Sequence, residues 1–173
     1  MPQVDRLLTL TLGESDTEIE LQTRDENRHA IDLMTAQTRN SLDIFSRDLD
    51  PPLYDRASFL EAMSRLCLDN RKAGIRILVQ DPAPAVKRGH RLIELSRRLS
   101  SSIEIRQPHP DYRHYNEAFL VADGCGFIHR PLADRHEGTT NFHDPVKARR
   151  LLDFFTEVWE RSHVHPDLRR LHL

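Results

Sequence analysis

Ala118-Phe119-Leu120-Val121-Ala122-Asp123-Gly124 is the stretch that decides the fold. Five apolar residues run without a polar interruption and stop at Asp-Gly. An uninterrupted apolar run of this length reads as a strand covered on both faces, and so as a central strand. Asp123-Gly124 is a hairpin signal, and Gly126 to Ile128 would return the chain antiparallel.

Upstream, Leu42 to Phe45 and Ile75 to Val79 read as further strands, closed by Asp50-Pro51-Pro52 and Asp81-Pro82. Thr23 with Glu26 is a capping-box pattern opening a helix with Ala30, Leu33 and Met34 on its apolar face. Ser58 with Glu61 repeats that pattern before a helix whose Phe59, Met63, Leu66 and Cys67 recur at helical spacing. Gly74 stands where a helix C-cap glycine belongs. A long helix is expected over about 85–100, with Leu92, Leu95 and Leu99 on one face, then a short strand at Ile103 and Ile105. Downstream, residues 131–144 read as a polar loop, and Asp144-Pro145 caps a last helix carrying Ala148, Leu151, Leu152, Phe155, Val158 and Trp159. The first 22 residues alternate around Gly13-Glu14-Ser15, which reads as an N-terminal hairpin or extension. Alternating strands and helices followed by a hairpin and a closing helix imply an α/β fold with a mixed central sheet flanked by helices.

The chain's 173 residues fit one domain, with a core over 23–162 and a tail over 163–173. Its net charge of −2 gives no global pull on nucleic acid or anionic lipid. Two cysteines, Cys67 and Cys125, lie in no metal or redox spacing and read as core residues of a reducing compartment. No apolar run approaches a membrane span and the N-terminus has no secretory pattern, so a cytoplasmic address is expected. Ten histidines, five of them at 109, 114, 129, 136 and 143, show no converging ligand spacing, and no metal or other cofactor is expected.

The order of elements resembles one half of the phospholipase D superfamily. The likeness runs from the helix leading into Leu42-Asp43-Ile44-Phe45, through Ile75-Arg76-Ile77-Leu78-Val79 and Phe119-Leu120-Val121-Ala122-Asp123-Gly124, to Phe154-Phe155-Thr156-Glu157-Val158-Trp159-Glu160. Gly89-His90-Arg91-Leu92 and Ile103-Glu104-Ile105-Arg106 also resemble an uncharacterised proteobacterial family. The superfamily's signature is His, any residue, Lys, four residues, then Asp. The resemblance implies that one His attacks phosphorus, a second protonates the leaving oxygen, and the Lys residues hold the phosphate.

Anchored on Asp123, the signature places Asn116 at the nucleophile and Ala118 at the phosphate clamp. Asn has no basic nitrogen and Ala no charge, so catalysis is not expected. His114 shares the strand parity of Asn116 but lies about 6.6 Å further along the strand, beyond the roughly ångström tolerance of a catalytic group. Gly138-Thr139-Thr140-Asn141 looks like the Gly-Ser-x-Asn that follows the signature, about ten residues late. It reads as turn residues or as an inserted loop returning polar groups to the site.

The reading that follows is a non-catalytic phospholipase D-like module. It binds a protein partner or small ligand at a vestigial cleft of His114, Asn116, Asp123 and Arg130. Asp123 alone has a simpler explanation, as the first residue of its turn. The alternatives are a homodimeric phosphodiesterase or nuclease with displaced catalytic residues, and nucleic-acid binding through Lys87, Arg88, Arg91 and Arg98. Nucleic acid is the weaker alternative, because Glu94 is placed to pair with Arg91 and Arg98 and no aromatics interleave with the charges.

Overall fold

The computed structural model describes residues 2–169. Its centre is a seven-stranded mixed sheet in the order β1-β7-β6-β5-β2-β3-β4. The strands are β1 Ile19–Leu21, β2 Ser41–Ser46, β3 Gly74–Val79, β4 Ile103–Arg106, β5 Ala118–Ala122, β6 Gly126–Arg130 and β7 Gly138–Asn141. β2, β3 and β4 run parallel, while β5 joins β2 antiparallel and β6, β7 and β1 continue antiparallel. β5 is thus the middle strand, and all five of its residues are buried, as its unbroken apolar run requires.

Side-chain alternation splits the core in two. Leu42, Ile44, Ile75, Ile77, Leu120, Ala122 and Ile128 face the layer built by α2 (Arg24–Gln37), α4 (Ala57–Asp69) and α6 (Arg91–Arg98). Phe45, Leu78, Phe119, Val121 and Phe127 face α7 (Pro145–Glu160), whose Ala148, Phe155, Val158 and Trp159 are buried against them. Each fully buried Phe, Leu or Val contributes roughly 1.5–3 kcal/mol of transfer free energy. The Thr23 hydroxyl accepts from Glu26 N at 3.1 Å, and Asp144 caps α7 through Lys147 N at 3.1 Å.

Several local expectations are corrected. Among the described residues no hairpin forms before residue 23. Pro2–Leu8 is a helix, α1, that buries Leu7 against α2, and Ile19–Leu21 pairs instead with β7. The supposed loop 131–144 contains β7, whose polar residues become a strand by pairing with β6 and β1 on either side. Gly138 is required there, since a Cβ would fall 2.3 Å from the His129 carbonyl oxygen. The helix expected over 85–100 breaks in two. α5 (Ala83–Arg88) ends on Gly89 at φ +70°, and His90 caps α6 by accepting from Leu92 N at 3.1 Å. Ser58 lies inside α4 and bonds Asp32 at 3.0 Å, while the cap position is Arg56, with no side-chain bond. Gly74 opens β3 rather than closing α4.

Two short helices, α3 (Pro51–Tyr54) and α8 (Pro166–Arg169), and a 3-10 turn at Pro110–Tyr112 complete the elements among the described residues. Of the tail expected over 163–173, His163 bridges to Gln107 and α8 follows; residues 170–173 lie outside the described residues.

Candidate functional site

In open α/β sheets, ligand crevices lie beyond the carboxyl ends of the parallel strands. Here those are the ends of β2, β3 and β4, and the antiparallel β5 brings its first residues to the same edge. Asn116 and Ala118 therefore arrive at this edge. Asn116 is exposed, and its Oδ1 accepts from Arg47 Nη1 at 3.0 Å. Ala118 is buried, and its register partner on β6 is Arg130. A cation thus stands across from Ala118, the residue that the resemblance sets against the signature's Lys.

That cation is already occupied. Arg130 Nη1 donates to the carbonyls of Ala133 and Arg135, each at 3.0 Å, and pairs with Asp50 Oδ2 at 3.2 Å. Burial pushes the Asp50 carboxyl above its ordinary range against the pull of Arg130. Burial likewise pushes the nearby Tyr54 phenol up to about 12. Between β2 and α3, Leu49 sits at φ +64° while fully buried, a strained conformation for a bulky residue. Two bonds hold it there: Leu49 N donates to Ser46 Oγ, and the buried His90 Nε2 donates to Leu49 O, each at 2.9 Å. Because His90 Nδ1 accepts from Leu92 N, the neutral Nε2–H tautomer is the one that fits.

Two exposed guanidiniums stand on the rim of this edge, together with the exposed carboxylates of Asp48 and Asp81. Arg47 and Arg113 are exposed and have no carboxylate within ion-pair distance among the described residues. Arg113 Nε contacts His114 Nε2 at 3.3 Å, leaving His114 exposed beside Asn116. On the α7 face of the same edge, His129 Nε2 meets Glu117 Oε1 at 2.8 Å.

Asp123 is elsewhere. It pairs through its backbone with Ser41 at the start of β2, whereas Asn116 meets Arg47 just past the end of β2. Six residues of strand separate those two points, about 20 Å. His114, Asn116 and Arg130 share one end of the sheet, and Asp123 stands at the other. Its carboxylate accepts from Arg39 N at 3.0 Å, Asn40 N at 2.7 Å and Ser41 N at 3.0 Å. It therefore clamps the α2–β2 connection to the β5–β6 turn, in which Asp123 itself adopts φ +51°. Beside it opens a groove of about 1020 Å³ with a mixed polar and apolar lining, between the N-terminal segment, the end of α2 and α4, with Arg39, Arg65 and Asn70 in its wall.

The basic patch is divided by the break at Gly89. Lys87, Arg88 and Arg98 are exposed, but Arg91 is paired with Asp55 at 2.7 Å rather than with Glu94. The Gly138–Asn141 stretch is β7, with Thr140 Oγ1 donating to Phe127 O at 2.8 Å and Asn141 tied to Asp16 at 2.9 Å. Burial pushes both thiols, Cys67 and Cys125, above their ordinary range. Among the described residues no group of three or more His, Cys, Asp or Glu side chains is placed to hold a metal, and no helix is long and apolar enough to cross a membrane. Sequence reading missed Arg47, Asp50 and Glu117, because each enters the site through a cross-strand or loop contact that no local spacing marks.

A family profile described as a domain of unknown function (DUF7931) matches residues 23–171. The chain belongs to the DUF7931 family. No curated protein matches it in sequence. Among solved structures, this DUF7931 chain is similar to TrmBL2, an archaeal chromatin protein described as showing a novel mode of DNA binding. The TM-score is 0.64 at 11% identity over 95% of this chain and 59% of that one. It is also similar to Nuc, a phospholipase D family member from Salmonella typhimurium, with a TM-score of 0.61 at 9% identity over 86% of this chain and 99% of Nuc. NucT from Helicobacter pylori gives a TM-score of 0.63 at 8% identity, with the same 86% and 99% coverage. The DUF7931 chain thus has a phospholipase D-like α/β fold.

Proposed function

We propose that this single domain is a non-catalytic phospholipase D-like module that binds an anionic group of a protein partner or small ligand at the carboxyl edge of its central strands. The observation that carries the reading is Arg47 seated on Asn116. Where the superfamily places a nucleophile, this chain has an amide bonded to an exposed guanidinium. The cation across from Ala118, Arg130, is paired with Asp50 and bonded to two backbone carbonyls. Charge remains at the rim while the attacking nitrogen is gone, so the edge holds an anion without cleaving it. Arg47 and Arg113 suit carboxylate or phosphate groups, which a guanidinium meets bidentately.

The test is fluorescence anisotropy with a labelled oligoglutamate peptide at low salt. The wild type binds, and an Arg47→Ala, Arg113→Ala double variant with an unchanged melting temperature binds about tenfold or more weakly. Equal binding by the two proteins, or none by the wild type, contradicts the reading.

A second reading, nucleic-acid binding at the α5–α6 corner, is favoured by the exposure of Lys87, Arg88 and Arg98. It calls for duplex affinity that falls steeply with salt and weakens in a Lys87→Ala, Arg88→Ala variant.

A further inference from the structure

We propose that Lys147, Thr139 and His129 form a second site, on the α7 face of the sheet, for a compact oxyanion: a phosphate or carboxylate group. Lys147 is half-buried, with Nζ 4.6 Å from the centre of the Phe127 ring and 3.3 Å from Thr139 Oγ1. No carboxylate lies within ion-pair distance of it among the described residues. A half-buried ammonium held by a ring and a hydroxyl is costly to leave without a counter-charge. Of its three N–H donors, Thr139 takes one.

The strand register supplies the rest. His129 on β6 is the direct partner of Thr139 on β7. Side chains paired in this way stand with Cβ atoms roughly 4.5–5.5 Å apart on one face. Glu117 Oε1 holds His129 Nε2 at 2.8 Å, which assigns the ring proton to Nε2 and leaves Nδ1 for another partner. The His129 side chain is 14% exposed, so it is walled by protein yet reached from solvent. Thr139 accepts from Lys147 and keeps its own hydroxyl proton to donate. Lys147 Nζ and Thr139 Oγ–H then offer two donors to one oxyanion beside the His129 ring. Of the acids nearby, Glu117 is engaged with His129 Nε2, Asp144 caps α7, and Glu20 on β1 is the cross-strand partner of Thr139 on its other side. Lys147 and Thr139 lie off the Arg47 rim, on the α7 face, although His129 and Glu117 stand at the same edge of the sheet.

The test is titration of the full chain with inorganic phosphate and, in parallel, with acetate, read by NMR of the His129 ring and by calorimetry. Saturable binding is expected. It should weaken about tenfold or more in Lys147→Met, an effect of roughly 1.4 kcal/mol, and several-fold in Thr139→Val. Calorimetry also carries any binding at the Arg47 rim, so the titration of the His129 ring resonances decides, and Arg47→Ala should leave those shifts unchanged. Tighter binding of phosphate than acetate assigns the site to phosphate groups, and the reverse order to carboxylates. If Lys147→Met melts abnormally, Lys147→Gln replaces it. Wild-type affinity in a folded Lys147 variant, or no saturable binding of either anion by the wild type, overturns the proposal.

Discussion

Replacing Asp123 by Asn separates the charge of this residue from its shape. Asn adopts the left-handed conformation about as readily as Asp, so φ +51° adds no strain. The amide keeps one acceptor, which can still serve Asn40 N and Ser41 N, now 2.7 and 3.0 Å from Asp123 Oδ1. Its NH₂ group then faces Arg39 N, which today donates to Oδ2 at 3.0 Å and to Oδ1 at 3.3 Å, so the shorter of those two contacts is lost. A hydrogen bond to a charged group contributes about 1.5–3 kcal/mol against about 0.5–1.5 for a neutral one. Two weakened bonds and one lost bond, discounted for partial exposure to water, give about 2 kcal/mol. For a chain of this size that lowers the melting temperature by roughly 4–8 °C. Asp123→Ala should cost more, because the left-handed strain of about 1–2 kcal/mol is added. Thermal unfolding followed by circular dichroism measures both. An Asp123→Asn variant that melts with the wild type would refute the clamp and reduce Asp123 to a turn residue.

Burial holds the His90 pKa below its ordinary 6.5, opposed by the Leu49 carbonyl and by Asp55 and Asp48. A histidine whose folded pKa is depressed contributes stability above its unfolded pKa and loses it as pH falls through the folded value. Wild-type stability should therefore drop on acidification below about pH 6.5, with a smaller drop in His90→Gln; parallel pH curves for the two proteins contradict this. Gly138→Ala should destabilise by about 2 kcal/mol or more, since its Cβ would meet the His129 carbonyl. Gly74→Ala, with nothing within 4 Å, is the control and should stay within about 1 kcal/mol by urea denaturation.

The parts of the fold legible in the sequence are those whose cause is local. β5 shows in five apolar residues, α4 and α7 in helical spacing, and the β5–β6 turn in Asp123-Gly124. β7 was not legible because Gly138-Thr139-Thr140-Asn141 is polar and becomes a strand only between two partners. α1 was misread because Leu7 and its neighbours fit an alternating pattern as well as a helix, and contact with α2 decides between them. The break at Gly89 was masked by the apolar spacing of Leu92, Leu95 and Leu99, which is satisfied by α6 alone. At the site, the absence of His and Lys at 116 and 118 was plain from spacing. Arg130 is among the residues that the sequence assigns to the cleft, but the arrival of Arg47, Asp50 and Glu117 is not legible, because each depends on a cross-strand or loop contact. Asp123 was grouped with Asn116 through the signature, although seven residues of nearly extended chain carry it to the far end of the sheet.

Hydrolysis of bis-p-nitrophenyl phosphate by the purified full chain tests the central claim most directly. On the proposed reading, in which Asn116 stands in for the nucleophile and Arg130 is paired with Asp50, the rate should not rise above the uncatalysed background at any pH. Turnover that scales with protein concentration and disappears in His114→Ala would show that a displaced histidine performs the chemistry, and would contradict the account.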